Sequence, residues 1–156
     1  MWERLLRFRT LDPQSRALFL RAWILLRLVS ISLAIRGFRG TRAALQRFLP
    51  IPDKEVRIDE ESRSLEMART VRMVRAAARY GIGSPTCLEK SLALWWLLER
   101  QQIPVALRIG TRTSNGAFEA HAWVEQDGAV LDDEEEPHRQ YLAFEGSFSA
   151  SPPKAG

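Results

Sequence analysis

Cys87 is the single cysteine of this 156-residue chain, and its surroundings suit a nucleophile. The stretch Gly83-Ser84-Pro85-Thr86-Cys87-Leu88-Glu89-Lys90-Ser91-Leu92 reads as a loop turning into a helix, with Cys87 in the first turn. Downstream, Ala120-His121-Ala122-Trp123-Val124-Glu125 places one of only two histidines on a strand, and the next strand ends in Asp132-Asp133. These types in this order fit covalent thiol chemistry. A thiolate attacks a carbonyl carbon, an imidazole handles the proton, and an acid holds the second ring nitrogen. A free cysteine titrates at about 8.5, and the unpaired N–H groups of a helix N-terminus and a nearby imidazolium both favour the thiolate. The Cys87 N–H could also donate to a tetrahedral oxyanion. The sequence assigns no second donor.

Which acid faces His121 depends on hairpin register. With a two-residue turn at Asp127-Gly128, Gln126 pairs with Ala129, His121 lies opposite Glu134, and Asp132 shares the histidine's face. With a three-residue Gln126-Asp127-Gly128 loop and a glycine bulge, Glu125 pairs with Ala129 and His121 lies opposite Asp133. Both registers stay open. A lone cysteine can instead be a small core hydrophobe, and an acidic run a solvated turn. His138 has no motif around it and reads as surface. With no close Cys/His pair, no metal or cofactor site is expected.

The positioning elements follow from caps and periodicity. Asp12 and Pro13 start a helix of about 15–36 whose apolar face includes Leu18, Trp23, Leu26 and Ile31; Gly37 stops it. A short helix at 41–48 follows, and Leu49-Pro50-Ile51-Pro52 breaks the pattern. The next helix, about 61–79, presents Leu65, Ala68, Val71, Val74 and Ala78 as a buried face, with Arg69, Arg72, Arg75 and Arg79 solvated on another side. The cysteine helix covers about 85–100, with Pro85 near its first position and Leu88, Leu92, Trp95 and Trp96 inward. Strands are expected at 103–110, 118–126 and 129–133, with Thr113–Gly116 as a turn.

Composition frames this as an ordinary globular protein, 46% hydrophobic and 27% charged. One cysteine excludes an intrachain disulfide and suits a reducing compartment or a catalytic thiol. The net charge of +4 is uneven: residues 1–58 carry +8 and residues 59–156 carry −4. The division expected is a basic helical arm at 1–58, a core at 59–146 and a loose tail at 147–156. Such an arm could meet an acidic partner, an anionic membrane or nucleic acid, although no nucleic-acid docking motif is present. No secretory signal is read at the start. Arg21 and Arg27 interrupt the apolar stretch Ala17–Ile35, leaving less than the roughly 20 residues of a spanning helix, so none is expected. A surface-lying helix stays open.

Three segments together resemble a known family. They are Cys87-Leu88-Glu89-Lys90-Ser91-Leu92-Ala93-Leu94, then Arg100 through Gly110, and Ala120-His121-Ala122-Trp123-Val124-Glu125 through Gly128 to Val130-Leu131-Asp132-Asp133. They are similar to the leader peptidase of lasso-peptide biosynthesis, the transglutaminase-like domain of the microcin-processing proteins, in its stand-alone form. The resemblance implies an α+β, papain/transglutaminase-like fold, with a cysteine-bearing helix packed on a small antiparallel sheet. It implies a nucleophile at Cys87, a base at His121 and, twelve residues on, an acid at Asp133, in agreement with the bulged register. Asp132 stands where the family usually has Asn. The implied activity is cysteine-protease removal of a precursor's leader, with no cofactor, in the bacterial cytoplasm. Implied partners are a separate leader-recognition protein and an ATP-dependent cyclase. An acyl transferase on the same fold, or a non-catalytic peptide-binding module, are the alternatives.

Overall fold

The computed structural model describes residues 11–50, 59–81, 83–114, 117–131 and 142–143. Helix α1 spans Pro13–Gln46. Asp12 caps it by accepting the Ser15 N–H at 3.0 Å, and Pro13 takes a position where a missing N–H costs nothing. Gly37 adopts φ 64° and ψ −175°, so the expected stop is a break within a longer helical stretch rather than its end.

Helix α2 spans Glu60–Tyr80 behind an Asp59 cap, whose carboxylate accepts the Ser62 N–H at 2.8 Å. Helix α3 spans Cys87–Arg100. Thr86 is its N-cap and Glu89 closes a reciprocal capping box, so Pro85 precedes the helix instead of opening it. Seven α3 residues are buried, Ser91 through Trp95 with Leu97 and Leu98, which makes it the central helix.

Four strands form one antiparallel sheet in the order β3-β2-β1-β4: β1 Ala106–Ser114, β2 Ala117–Gln126, β3 Ala129–Val130 and β4 Leu142–Ala143. Strand β1 starts later than its hydrophobic run. The Ile103 N–H donates to the Leu98 carbonyl at 3.0 Å and the Val105 N–H to Glu99 Oε1, while Pro104 has no N–H to give. Those residues are therefore tied to the end of α3. At its other end β1 runs through Thr113 and Ser114, where a turn was expected, because pairing with β2 continues to Ser114–Ala117.

One hydrophobic cluster joins these parts. Ala22, Leu25, Leu26 and Val29 of α1 meet Val74 and Ala77 of α2, the α3 residues, and Leu107 and Val124 of the sheet. The stretch expected to be an arm thus contributes to the core. Residues 51–58, where the boundary was placed, lie outside the described residues, as do 147–156.

Two helix faces differ from expectation. On α1, Ile31 is 57% exposed and Trp23 only half-buried, while the inner face runs Leu18, Ala22, Leu25, Leu26, Val29. On α2, Thr70, Met73, Val74 and Ala77 point inward, whereas Leu65 is 63% exposed and Ala68 is exposed. Thr70 is tolerated there because its hydroxyl bonds the Glu66 carbonyl and the Gln101 side chain. By length and composition α1 is also apolar enough to cross a membrane, despite Arg21 and Arg27; 28% of the apolar window is buried within the protein.

Candidate active site

Cys87 is the first residue of α3 and is half-buried. The capping box assigns the local donors. The Glu89 N–H donates to the Thr86 hydroxyl at 3.3 Å, and the Thr86 N–H donates to the Glu89 carboxylate at 2.6 Å. The Cys87 N–H is left among those that have no carbonyl one turn back. In the approach loop Gly83 sits at φ 84°, a backbone conformation that favours glycine, with the movable Arg27 guanidinium 3.2 Å from where a Cβ would stand.

His121 lies on β2 opposite Gly110 of β1 and is half-buried. Its ring stacks on Trp123, with centroids 5.8 Å apart and planes at 20°. Trp123 is in turn held by its indole N–H, which donates to Glu125 Oε1 at 2.7 Å. The other Glu125 oxygen accepts from Arg108 at 2.9 Å. Alternation on a strand puts residues 121, 123 and 125 on one face, so this chain of contacts fixes the plane against which the imidazole rests.

A buried bond links the two elements. The Ser91 hydroxyl, one helical turn beyond Cys87, donates to the Ala122 carbonyl at 2.9 Å. Cys87 and His121 line the same groove, of about 1110 Å³, between α2, α3 and the sheet. Its α2 wall carries Ala68, Val71, Arg72, Arg75 and Arg79. The stripe read as a core face from periodicity therefore includes groove wall, and the arginines read as simply solvated edge the groove. Sequence reasoning missed Ser91, Lys90 and this wall. One signal was available: residues 67–88 contain four arginines and no Asp or Glu, so Arg72, Arg75 and Arg79 have no acid a helical turn away.

The hairpin after His121 takes one of the two registers considered. Asp127 and Gly128 both have positive φ, 49° and 81°, as a two-residue type I′ turn requires. Gln126 pairs with Ala129 and Glu125 with Val130, and the Leu131 N–H donates to the Val124 carbonyl at 2.9 Å. The three-residue bulged loop does not form. Arg75 steadies the end of this hairpin by donating to the Leu131 carbonyl at 3.2 Å. Asp132 and Asp133 lie outside the described residues, and so does His138.

Comparison with known proteins adds one finding. The family model described as the Transglutaminase-like superfamily matches residues 25–144, which includes Cys87, His121 and most of α1. No curated protein and no solved structure matches significantly.

Proposed function

Since the chain belongs to the transglutaminase-like superfamily, we propose that it is a cysteine peptidase that removes the leader from a ribosomally made lasso-peptide precursor. The observation that carries this reading is the placement of Cys87 at the start of α3 and His121 on β2 along one groove. The Cys87 thiolate attacks the scissile carbonyl and forms a tetrahedral oxyanion, toward which the Cys87 N–H is the available donor. His121 passes the proton to the leaving amine, and the acyl-enzyme forms. Water, deprotonated by His121, then releases the acid product and restores the thiol. Asp133 holds the imidazole in the family pattern. A second reading of the acid rests on the observed register: a two-residue turn, continued regularly, favours Asp132. A separate recognition protein delivers the leader and a cyclase closes the ring, in the cytoplasm.

Acyl transfer is the other reading, because the superfamily includes acyl transferases alongside cysteine peptidases. There an amine replaces water at the acyl-enzyme.

Mass spectrometry of a precursor incubated with the protein and a leader-recognition partner separates these. Hydrolysis adds water and transfer adds the amine. Cleavage lost in Cys87→Ala and His121→Ala supports the peptidase, and cleavage that survives Cys87→Ala overturns it. A severe defect in only one of Asp132→Asn and Asp133→Asn assigns the acid.

A further inference from the structure

We propose that the groove beside Cys87 selects peptides with carboxylate side chains flanking an apolar stretch; this rests on the peptide-processing reading above and specifies its substrate class. Cations stand on two walls of the groove, Arg72, Arg75 and Arg79 on α2 and Lys90 on α3, and no Asp or Glu occurs among the described lining residues. Arg72, Arg79 and Lys90 are exposed, and among the described residues none of the three forms an ion pair. Arg63 and Arg69 are instead bonded to Glu60 and Glu66 on their own helix, and Arg108 to Glu125 across the sheet. The exposed Arg21, Arg36 and Arg39 of α1 also form no ion pair among the described residues, but they lie outside the groove. It is the gathering of cations along one groove that distinguishes Arg72, Arg79 and Lys90.

Geometry gives the cations a common ligand. Arg72, Arg75 and Arg79 recur at the three- and four-residue steps of one helix side. Arg72 and Arg79 are seven residues apart, about 10 Å along the axis. That matches about three residues of an extended peptide. Lys90 is one turn past Cys87, so positive charge also stands beside the nucleophile. Apolar residues share this lining: Val74, Ala76 and Ala78 fall between Arg72 and Arg79 along α2, and Leu94 and Leu131 line the groove from α3 and the hairpin. An extended chain with spaced Asp or Glu and small aliphatic residues between them satisfies both. Arginine binds carboxylates through two parallel N–H donors, which adds geometric selection to charge.

Fluorescence anisotropy on full-length Cys87→Ala protein tests this without requiring cleavage. The probes are two labelled peptides of alanine and leucine, identical except for spaced Asp in one and Asn in the other. The Asp peptide is expected to bind at least about tenfold tighter, with the margin shrinking at high salt. In Arg72→Gln/Arg79→Gln the margin collapses. In Arg21→Gln/Arg36→Gln, on α1 away from the groove, it persists. Equal binding of the two peptides, or binding of neither, overturns the proposal. A margin lost with the α1 pair but kept with the groove pair overturns it too, since the charge is then read elsewhere on a basic chain. A single-stranded oligonucleotide that displaces the Asp peptide and binds tighter would replace the peptide assignment with nucleic acid. Loss of precursor cleavage with the Asp margin intact is the separate failure of the peptidase reading.

Discussion

At the scale of single residues, Ser91 joins the cysteine helix to the histidine strand. From a fully buried site four residues after Cys87, its hydroxyl reaches the carbonyl of Ala122, the residue that follows His121. Ser91→Ala removes the donor and leaves a buried carbonyl short of a partner, which costs about 1–3 kcal/mol. Ser91→Thr keeps a hydroxyl at the price of one extra methyl in a packed helix. The expected result is a lower urea midpoint for the alanine variant. Far below that midpoint its kcat also falls, with KM little changed and partial rescue by threonine. A purely structural Ser91 would lower the midpoint and leave kcat intact in the folded protein. Trp123 acts on the histidine in the same indirect way. Glu125→Gln keeps an acceptor for the indole but weakens the Arg108 ion pair. Its expected effect is smaller than that of Trp123→Ala, which removes the surface on which the imidazole stacks.

At the scale of elements, the helix starts are electrostatic devices. Hydrogen bonds from Ser62, its backbone N–H foremost, hold the Asp59 carboxyl below the ordinary 3.8; the side-chain and backbone bonds of Ser15 do the same for Asp12. A carboxyl whose pKa is lowered by folding adds stability above its unfolded value, and that stability disappears as pH falls through the folded value. Asp59→Ala should therefore melt below wild type at neutral pH, with the gap closing once pH drops under 3.8. Thermal melts across that range check it, and a gap of constant size in acid would show that the charge is irrelevant to the cap. The Asp12-Pro13 start was legible because cap and helix are adjacent in sequence, whereas the equally local Thr86–Glu89 box was passed over in favour of Pro85. The Cys87 helix and the His121 strand were legible from local sequence too, with the helix start misplaced by about two residues. Register was not. Asp127-Gly128 fits either loop length, and the choice falls to the pairing of Glu125 with Val130 and to the Leu131–Val124 bond. Gly128 now has a defined role at φ 81°, with nothing within 4 Å of an added Cβ. Gly128→Ala should thus cost about 1–2 kcal/mol from backbone strain alone, visible as a lower urea midpoint with an unchanged slope.

At the scale of the whole molecule, the open question was whether the basic N-terminal stretch is separable from the catalytic part. Periodicity could not answer it, because α1 is apolar on more than one side. Leu20, Ile24, Leu28, Ile31 and Ile35 form an exposed stripe, while Leu18, Ala22, Leu25, Leu26 and Val29 form the buried one. Only packing against α2 and α3 tells the two apart, and that depends on residues far away in sequence. The same long-range choice turned α2, so that Val71 and Ala68 border the groove and Thr70 and Met73 face the core. Further ties bind α1 and the turn after it to α3: the Trp96 indole N–H donates to the Leu45 carbonyl at 2.8 Å, and Arg100 donates to the carbonyl of Phe48 in that turn at 3.3 Å. A paired substitution tests the arrangement. Leu25→Ala opens a cavity in the shared cluster and should cost about 2–5 kcal/mol. Leu28→Ala, three residues along and 58% exposed, should stay within about 0.5 kcal/mol. The readout is urea unfolding followed by two probes, tryptophan fluorescence and far-ultraviolet circular dichroism. A single cooperative transition, lowered by Leu25→Ala and unmoved by Leu28→Ala, makes α1 part of the unit that carries Cys87. If Leu25→Ala instead splits the curve, melting α1 while the remainder unfolds at the wild-type midpoint, then the helix is an appendage and the groove stands without it.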